Sequence, residues 1–272
     1  MVSQPLKTQL YAHLPSTEEL PCSDDTPVDN EDQNLLPNLL LFLLTSLWAD
    51  RLDWFFAVDM AIYHTTGANP RVPVVPDGFL SLAVERKKGG KSRRSYAMWE
   101  ENGTVPTLVL EMVSHKPGGG YDKKLEIYRK LGVLYYVIYN PEFWQRDRQQ
   151  PFQVYKLIND AYQLQLGEPY WMPEVGLGLG RAQQVIGGIE QEVLLWHDPQ
   201  GIAHPLPETA MRQLKQQLQA EQRQVAQEQQ RAIQEQQRAE SALQQAALER
   251  QRAERLAAHL RSLGVDPDQL TE

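Results

Sequence analysis

The sequence predicts a mixed α/β or α+β domain followed by one long separate helix, and three observations support this. Between residues 31 and 139, helical and strand-like patterns follow the order helix, three strands, helix, strand. The second helix falls between the third and fourth strands, the kind of connection that parallel neighbours need. From Glu208 to about Leu263 the chain turns to Gln, Ala, Glu and Arg, with neither Pro nor Gly.

Residues 1–30 are rich in Pro, Ser, Thr and Asp and read as an extended arm. Leu35, Leu39, Phe42 or Leu43, and Leu47 recur at helical spacing, which predicts a helix from Glu31 to Arg51. Pro37 lies near its start, where a missing N–H costs least. Aromatic and β-branched residues predict a strand from Trp54 to His64, and further strands are expected at Phe79–Glu85 and Thr107–Val113. Helical periodicity returns from Tyr121 to Leu131, with Gly132 placed as a C-terminal cap. Val133 to Tyr139 is almost wholly apolar or aromatic, as a strand buried on both faces would be. Asn159-Asp160 divides two strand-like runs, Phe152–Ile158 and Tyr162–Leu166, into a hairpin, and short strands are expected around Gln183 to Trp196. The domains expected are thus an arm at 1–30, a domain at 31–206, a helix at 207–263 and a tail at 264–272.

The chain has 272 residues, 42% of them hydrophobic, which supports a substantial core and excludes wholesale disorder. A single cysteine, Cys22, excludes a disulfide framework and Cys-based zinc motifs. The longest apolar run, Leu35 to Trp48, falls short of the ~20 residues of a membrane span, and the first ten residues are polar. A soluble, cytoplasmic protein with no membrane partner is the expectation. Net charge is −8, against a generic nucleic-acid binder, and residues 207–263 carry nine basic and seven acidic side chains. The negative charge therefore sits on the first 206 residues, and any nucleic-acid surface there must be local.

One constellation carries chemistry. Asp77 follows Pro76 at the entry to the second strand, Glu111 interrupts the apolar run Leu108-Val109-Leu110-Glu111-Met112-Val113, and Lys124 lies on the next helix. Strand alternation puts Val109, Glu111 and Val113 on one face and Leu108, Leu110 and Met112 on the other. A carboxylate in so apolar a strand is costly unless paired, hydrogen-bonded or ligating a cation. Two hard oxygen ligands with room for water suit Mg²⁺. The alternative has Asp77 capping a turn and Glu111 pairing with Lys116 or Lys124.

These residues resemble the Uma2 family of the PD-(D/E)xK nuclease superfamily. The resemblance rests on Asp53-Trp54-Phe55-Phe56-Ala57-Val58-Asp59-Met60, Val75-Pro76-Asp77-Gly78-Phe79-Leu80 and Leu108-Val109-Leu110-Glu111-Met112-Val113-Ser114. Tyr121-Asp122-Lys123-Lys124 with Tyr128, and Gly132-Val133-Leu134-Tyr135-Tyr136-Val137 with Asn140-Pro141, extend it over about residues 15–200. It implies a restriction-endonuclease-like α-β-β-β-α-β core with a mixed sheet and extra β-hairpins. It further implies a Mg²⁺- or Mn²⁺-dependent endonuclease acting on DNA, with Asp77 and Glu111 as metal ligands and Glu31 as a third candidate. The motif lysine, expected two residues after the acid, is replaced here by Val113. The resemblance transfers its role to Lys124. Glu31 is equally suited to a plain helix N-terminus, where a carboxylate meets the dipole.

Arg86, Lys87, Lys88, Lys91, Arg93 and Arg94 form a basic stretch that reads either as a DNA-backbone contact or as a solvated turn. Gly118-Gly119-Gly120 lacks a following Gly-Lys-Ser/Thr and is no Walker loop; Gly176 to Gly180 reads as a bent β segment. In the long helix every seventh residue from Leu218 to Leu260 is apolar, whereas the complementary seam is mainly Glu. Weak homodimerisation or a coiled-coil protein partner is expected. A second functional reading follows, a non-catalytic nuclease-fold scaffold acting through this helix.

Overall fold

The computed structural model describes residues 13–23, 30–114 and 123–264. Its contacts divide the chain into two units, Met1–Leu206 and Pro207–Glu272.

In the first unit, helix α1 (Glu31–Leu47) begins at Asn30, whose side chain accepts the Gln33 N–H at 3.0 Å. Pro37 sits in its second turn and is buried against the sheet. Leu36, Leu40, Leu43 and Leu44 form its buried stripe. The strands are β1 (Trp54–Val58), β2 (Ile62–Tyr63), β3 (Gly78–Leu82), β4 (Tyr96–Ala97) and β5 (Leu108–Met112). Helix α2 (Leu125–Leu131) ends at Gly132 in the left-handed conformation, φ +84°, as a C-terminal glycine cap should. Then come β6 (Tyr135–Tyr139), a short helix α3 (Trp144–Asp147), β7 (Phe152–Ile158), β8 (Ala161–Leu164), β9 (Tyr170–Met172), β10 (Leu177–Ile186) and β11 (Ile189–His197).

A six-stranded mixed sheet runs β1-β3-β5-β6-β7-β8. Only β5 and β6, joined through α2, pair in parallel; the other neighbours are antiparallel. The expected α-β-β-β-α-β order is thus present as α1-β1-β3-β5-α2-β6. On one face Phe56, Leu80, Leu110 and Val137 pack with the α1 leucines and with Leu179 and Trp196 of the β9-β10-β11 sheet. The Trp196 indole N–H reaches the Leu40 carbonyl at 3.0 Å and ties that sheet to α1. On the other face Phe79, Val109, Tyr136 and Ile138 meet Tyr128 and Leu131 of α2.

Two strand boundaries differ from the sequence expectation. The run from Trp54 to His64 is broken at Asp59, which has φ +47°, and beyond it β2 leaves the main sheet to pair with β4. Ala83, at φ +59°, likewise lies just past the end of β3. Alternation of residue types does not register a reversal carried by one non-glycine residue.

The second unit is helix α4 (Pro207–Ser262), 56 residues with none buried. Every Trp, Tyr and Phe of the chain precedes Pro207. Among the described residues no helix is long and apolar enough to cross a membrane.

Candidate active site

Strands β3 and β5 are antiparallel with Gly78 opposite Leu110. Continued by two residues, that register sets Pro76 opposite Met112. Proline brings no N–H and cannot extend the ladder, so side chains take up the Met112 main chain. Its N–H donates to Asp77 Oδ2 at 2.6 Å, and its carbonyl accepts from Gln33 Nε2 at 3.5 Å. The Asp59 N–H donates to the Asp77 carbonyl at 3.2 Å. Pro76-Asp77 is held where the first three strands of the sheet part.

Glu111 lies one residue earlier on β5, so its side chain leaves by the opposite face, the one covered by α2. It is 5% exposed. Lys124 and Tyr128, one helical turn apart, address one carboxylate oxygen each. Lys124 Nζ donates to Oε2 at 2.6 Å and also to the Val75 carbonyl at 3.3 Å, and Tyr128 OH donates to Oε1 at 2.6 Å. Lys124 therefore bridges the Glu111 carboxylate and the segment that carries Asp77.

Burial, and next the Glu111 carboxylate, push the Asp77 carboxyl up to about 7; the Met112 N–H and Lys124 pull the other way. Burial also raises Glu111, against the opposing pull of Lys124 and Tyr128. Tyr128, raised well above the usual phenol range first by burial and then by Glu111, stays a protonated donor. With both acids ionised, they and the one lysine sum to a negative charge in a partly buried place, and added positive charge would relieve it.

This donor set fits a hard divalent cation. Mg²⁺ uses few protein carboxylates and keeps several waters, and each carboxylate oxygen here retains a lone pair beside its hydrogen bond. Among the described residues no group of three or more His, Cys, Asp or Glu gathers in metal-ligating range. Glu31 is exposed in the first turn of α1 and is not brought into a cluster with Asp77 and Glu111.

Of the basic stretch, Lys88 and Lys91 close a turn through Gly89-Gly90. Arg93 is no surface cation: its side chain is 2% exposed, grips Glu101 at 2.8 and 3.0 Å, and lies over the Phe55 ring. Arg86 stacks on Trp54, Lys88 pairs with Glu100, and Arg94 reaches the Glu18 carbonyl. Lys87 and Lys91 are exposed. The Gly118–Gly120 loop, Lys116, Tyr121 and Asp122 lie outside the described residues.

Sequence reasoning missed Gln33 and Asp59 as neighbours of Asp77. It quoted Tyr128 without assigning it to Glu111. Asn30 followed three residues later by Gln33 is a helix-start signature that could have placed Gln33. The four-residue spacing from Lys124 to Tyr128 could have put both on one helix face.

A family model described as Uma2, "Putative restriction endonuclease", matches residues 25–184. No curated protein and no solved structure matches the chain.

Proposed function

The chain belongs to the Uma2 family, and from that premise we propose that it is a Mg²⁺- or Mn²⁺-dependent endonuclease that hydrolyses DNA phosphodiester bonds. The observation that carries this reading is the pair of half-buried Asp77 and buried Glu111, with Lys124 on Glu111. Asp77 and Glu111 hold the cation. When bound, it polarises the phosphate and lowers the pKa of a water ligand. Lys124 keeps a positive charge beside the scissile phosphate, where it stabilises developing negative charge without rearrangement. An ammonium on the helix can serve there as well as one two residues beyond the acid, since the role is set by position and not by chain order. Tyr128 fixes the orientation of Glu111 through its Oε1. Lys87 and Lys91, which with Arg94 are the exposed cations of the basic stretch, contact the DNA backbone.

The test is plasmid cleavage in Mn²⁺, in Mg²⁺ and in EDTA, paired with calorimetric titration of Mn²⁺. Wild type nicks or cuts only with metal, and Asp77→Ala and Glu111→Ala lose both cleavage and metal binding. Lys124→Ala slows cleavage more than it weakens metal binding, because a cation does not ligate a cation. Alanine variants that cut as fast as wild type would sink the proposal. The scaffold reading draws on α4, none of whose residues is buried, and on Val113. Absence of metal binding by the wild-type chain would favour it.

A further inference from the structure

We propose that α4 pairs antiparallel with the α4 of a second copy of this chain. Two seams of unequal character run along α4. Every seventh residue from Met211 to Leu260 is apolar, and four of those eight are Ala. The companion seam, three residues further on, starts at Leu214 and ends at Leu256 and Leu263, but its middle holds Glu221, Glu228, Glu235 and Glu249. Along this helix Leu218, Val225 and Leu256 stand 53%, 52% and 64% exposed. A seven-residue repeat of this kind stays on one face only when helices wind round each other.

Orientation follows from how the layers form. In a parallel pair each seam meets itself, so four of the eight layers of the companion seam would bring Glu against Glu. Like charges forced together out of water are strongly unfavourable. In an antiparallel pair each seam meets the other. Met211 then lies opposite Leu263 of the second copy, Leu214 opposite Leu260 and Leu218 opposite Leu256, and the two-fold axis repeats these layers at the far end. Three of the four glutamates fall opposite alanine, Glu221 on Ala253, Glu228 on Ala246 and Glu235 on Ala239, while Glu249 falls on Val225 near the far end. Alanine leaves room for the carboxylate to reach the rim.

The rim is complementary in charge. Positions flanking the seams carry Lys215, Arg231, Arg238, Arg250 and Arg252 and no acid. The same alignment sets Glu235 beside Arg238 of the second copy and Glu221 beside its Arg252. A shift of one heptad would strand the leucines at both ends, so the register is fixed along with the direction. The occupant of the exposed seam is thus this helix itself, reversed.

The experiment uses full-length chain with Cys22→Ser, carrying either Leu214→Cys or Leu260→Cys. Under mild oxidation a mixture of the two gives a mixed disulfide, while Leu214→Cys alone gives none. Its two copies would sit 46 residues apart along the pair, roughly 70 Å at 1.5 Å per residue. Sedimentation of the unmodified chain shows a concentration-dependent dimer, weakened about tenfold or more by Leu218→Asp. Disulfide formation by Leu214→Cys alone would mean a parallel pair and overturn the proposal. So would a chain that stays monomeric, or a dimer indifferent to Leu218→Asp.

Discussion

For Asp77, a carboxyl raised from 3.8 to about 7, folding takes up a proton between those values. Such a group stabilises the fold fully below its unfolded pKa, and that contribution is lost as pH rises through about 7. At 1.36 kcal/mol per pKa unit the term is of order 4 kcal/mol in metal-free protein. Asp77→Asn keeps an acceptor for the Met112 N–H and removes the charge. In EDTA at pH 8 it should unfold at a higher temperature than wild type, by the equivalent of about 1–3 kcal/mol, with the gain gone near pH 4. A difference that does not change with pH would contradict this assignment. Tyr128→Phe keeps the buried ring but strips a donor from Glu111, at a cost of about 1–2 kcal/mol read by urea unfolding. Glu111 stood out in the sequence because a charge in an apolar strand breaks its own pattern; Asp77, ahead of its strand, has no such mark. The roles of Tyr128, Gln33 and Asp59 were not legible, because local signals place the first two on their helices without showing what they reach across the fold.

Among the elements, the turn from Arg86 to Arg94 mixes two kinds of cation. Arg93 belongs to the body: its loss leaves Glu101, 7% exposed, without its bidentate partner. With Lys88 still 3.4 Å from the Glu101 carboxylate, Arg93→Ala should cost about 2–3 kcal/mol in thermal or urea unfolding. Lys87→Ala with Lys91→Ala should leave stability within about 0.5 kcal/mol while weakening DNA retention on a heparin-competed column. Composition showed the charge run but not which members were already engaged. Strand β10 gives the opposite lesson. Gly178 and Gly180 were legible as β structure, yet the reason for Gly180 is distant, since a Cβ there would sit 2.8 Å from Pro169. Gly180→Ala should therefore destabilise by about 1–3 kcal/mol. Helices α1 and α2 and the central strands were readable because their apolar pattern is set by burial. The break at Asp59 was not.

At the scale of the whole molecule the chain joins two units with unlike physics: a body with apolar clusters on both faces of a mixed sheet, and a helix with no buried residue. A chain ended after Leu206 should unfold cooperatively at the temperature of the full-length body, while the dimer dissociates. Loss of the folded body would place the boundary elsewhere. The change of composition at Glu208 made this division legible in advance, whereas the β9-β10-β11 sheet that covers α1 needed the fold. The lack of aromatic residues after Leu206 has an optical consequence. Tryptophan emission reports the body alone, since α4 contributes nothing to it. Ellipticity at 222 nm is weighted the other way, because α4 has 56 helical residues against 17 in α1. One sample heated once should therefore give two melting curves that fail to superimpose. Dilution should move the ellipticity curve and leave the emission curve where it was.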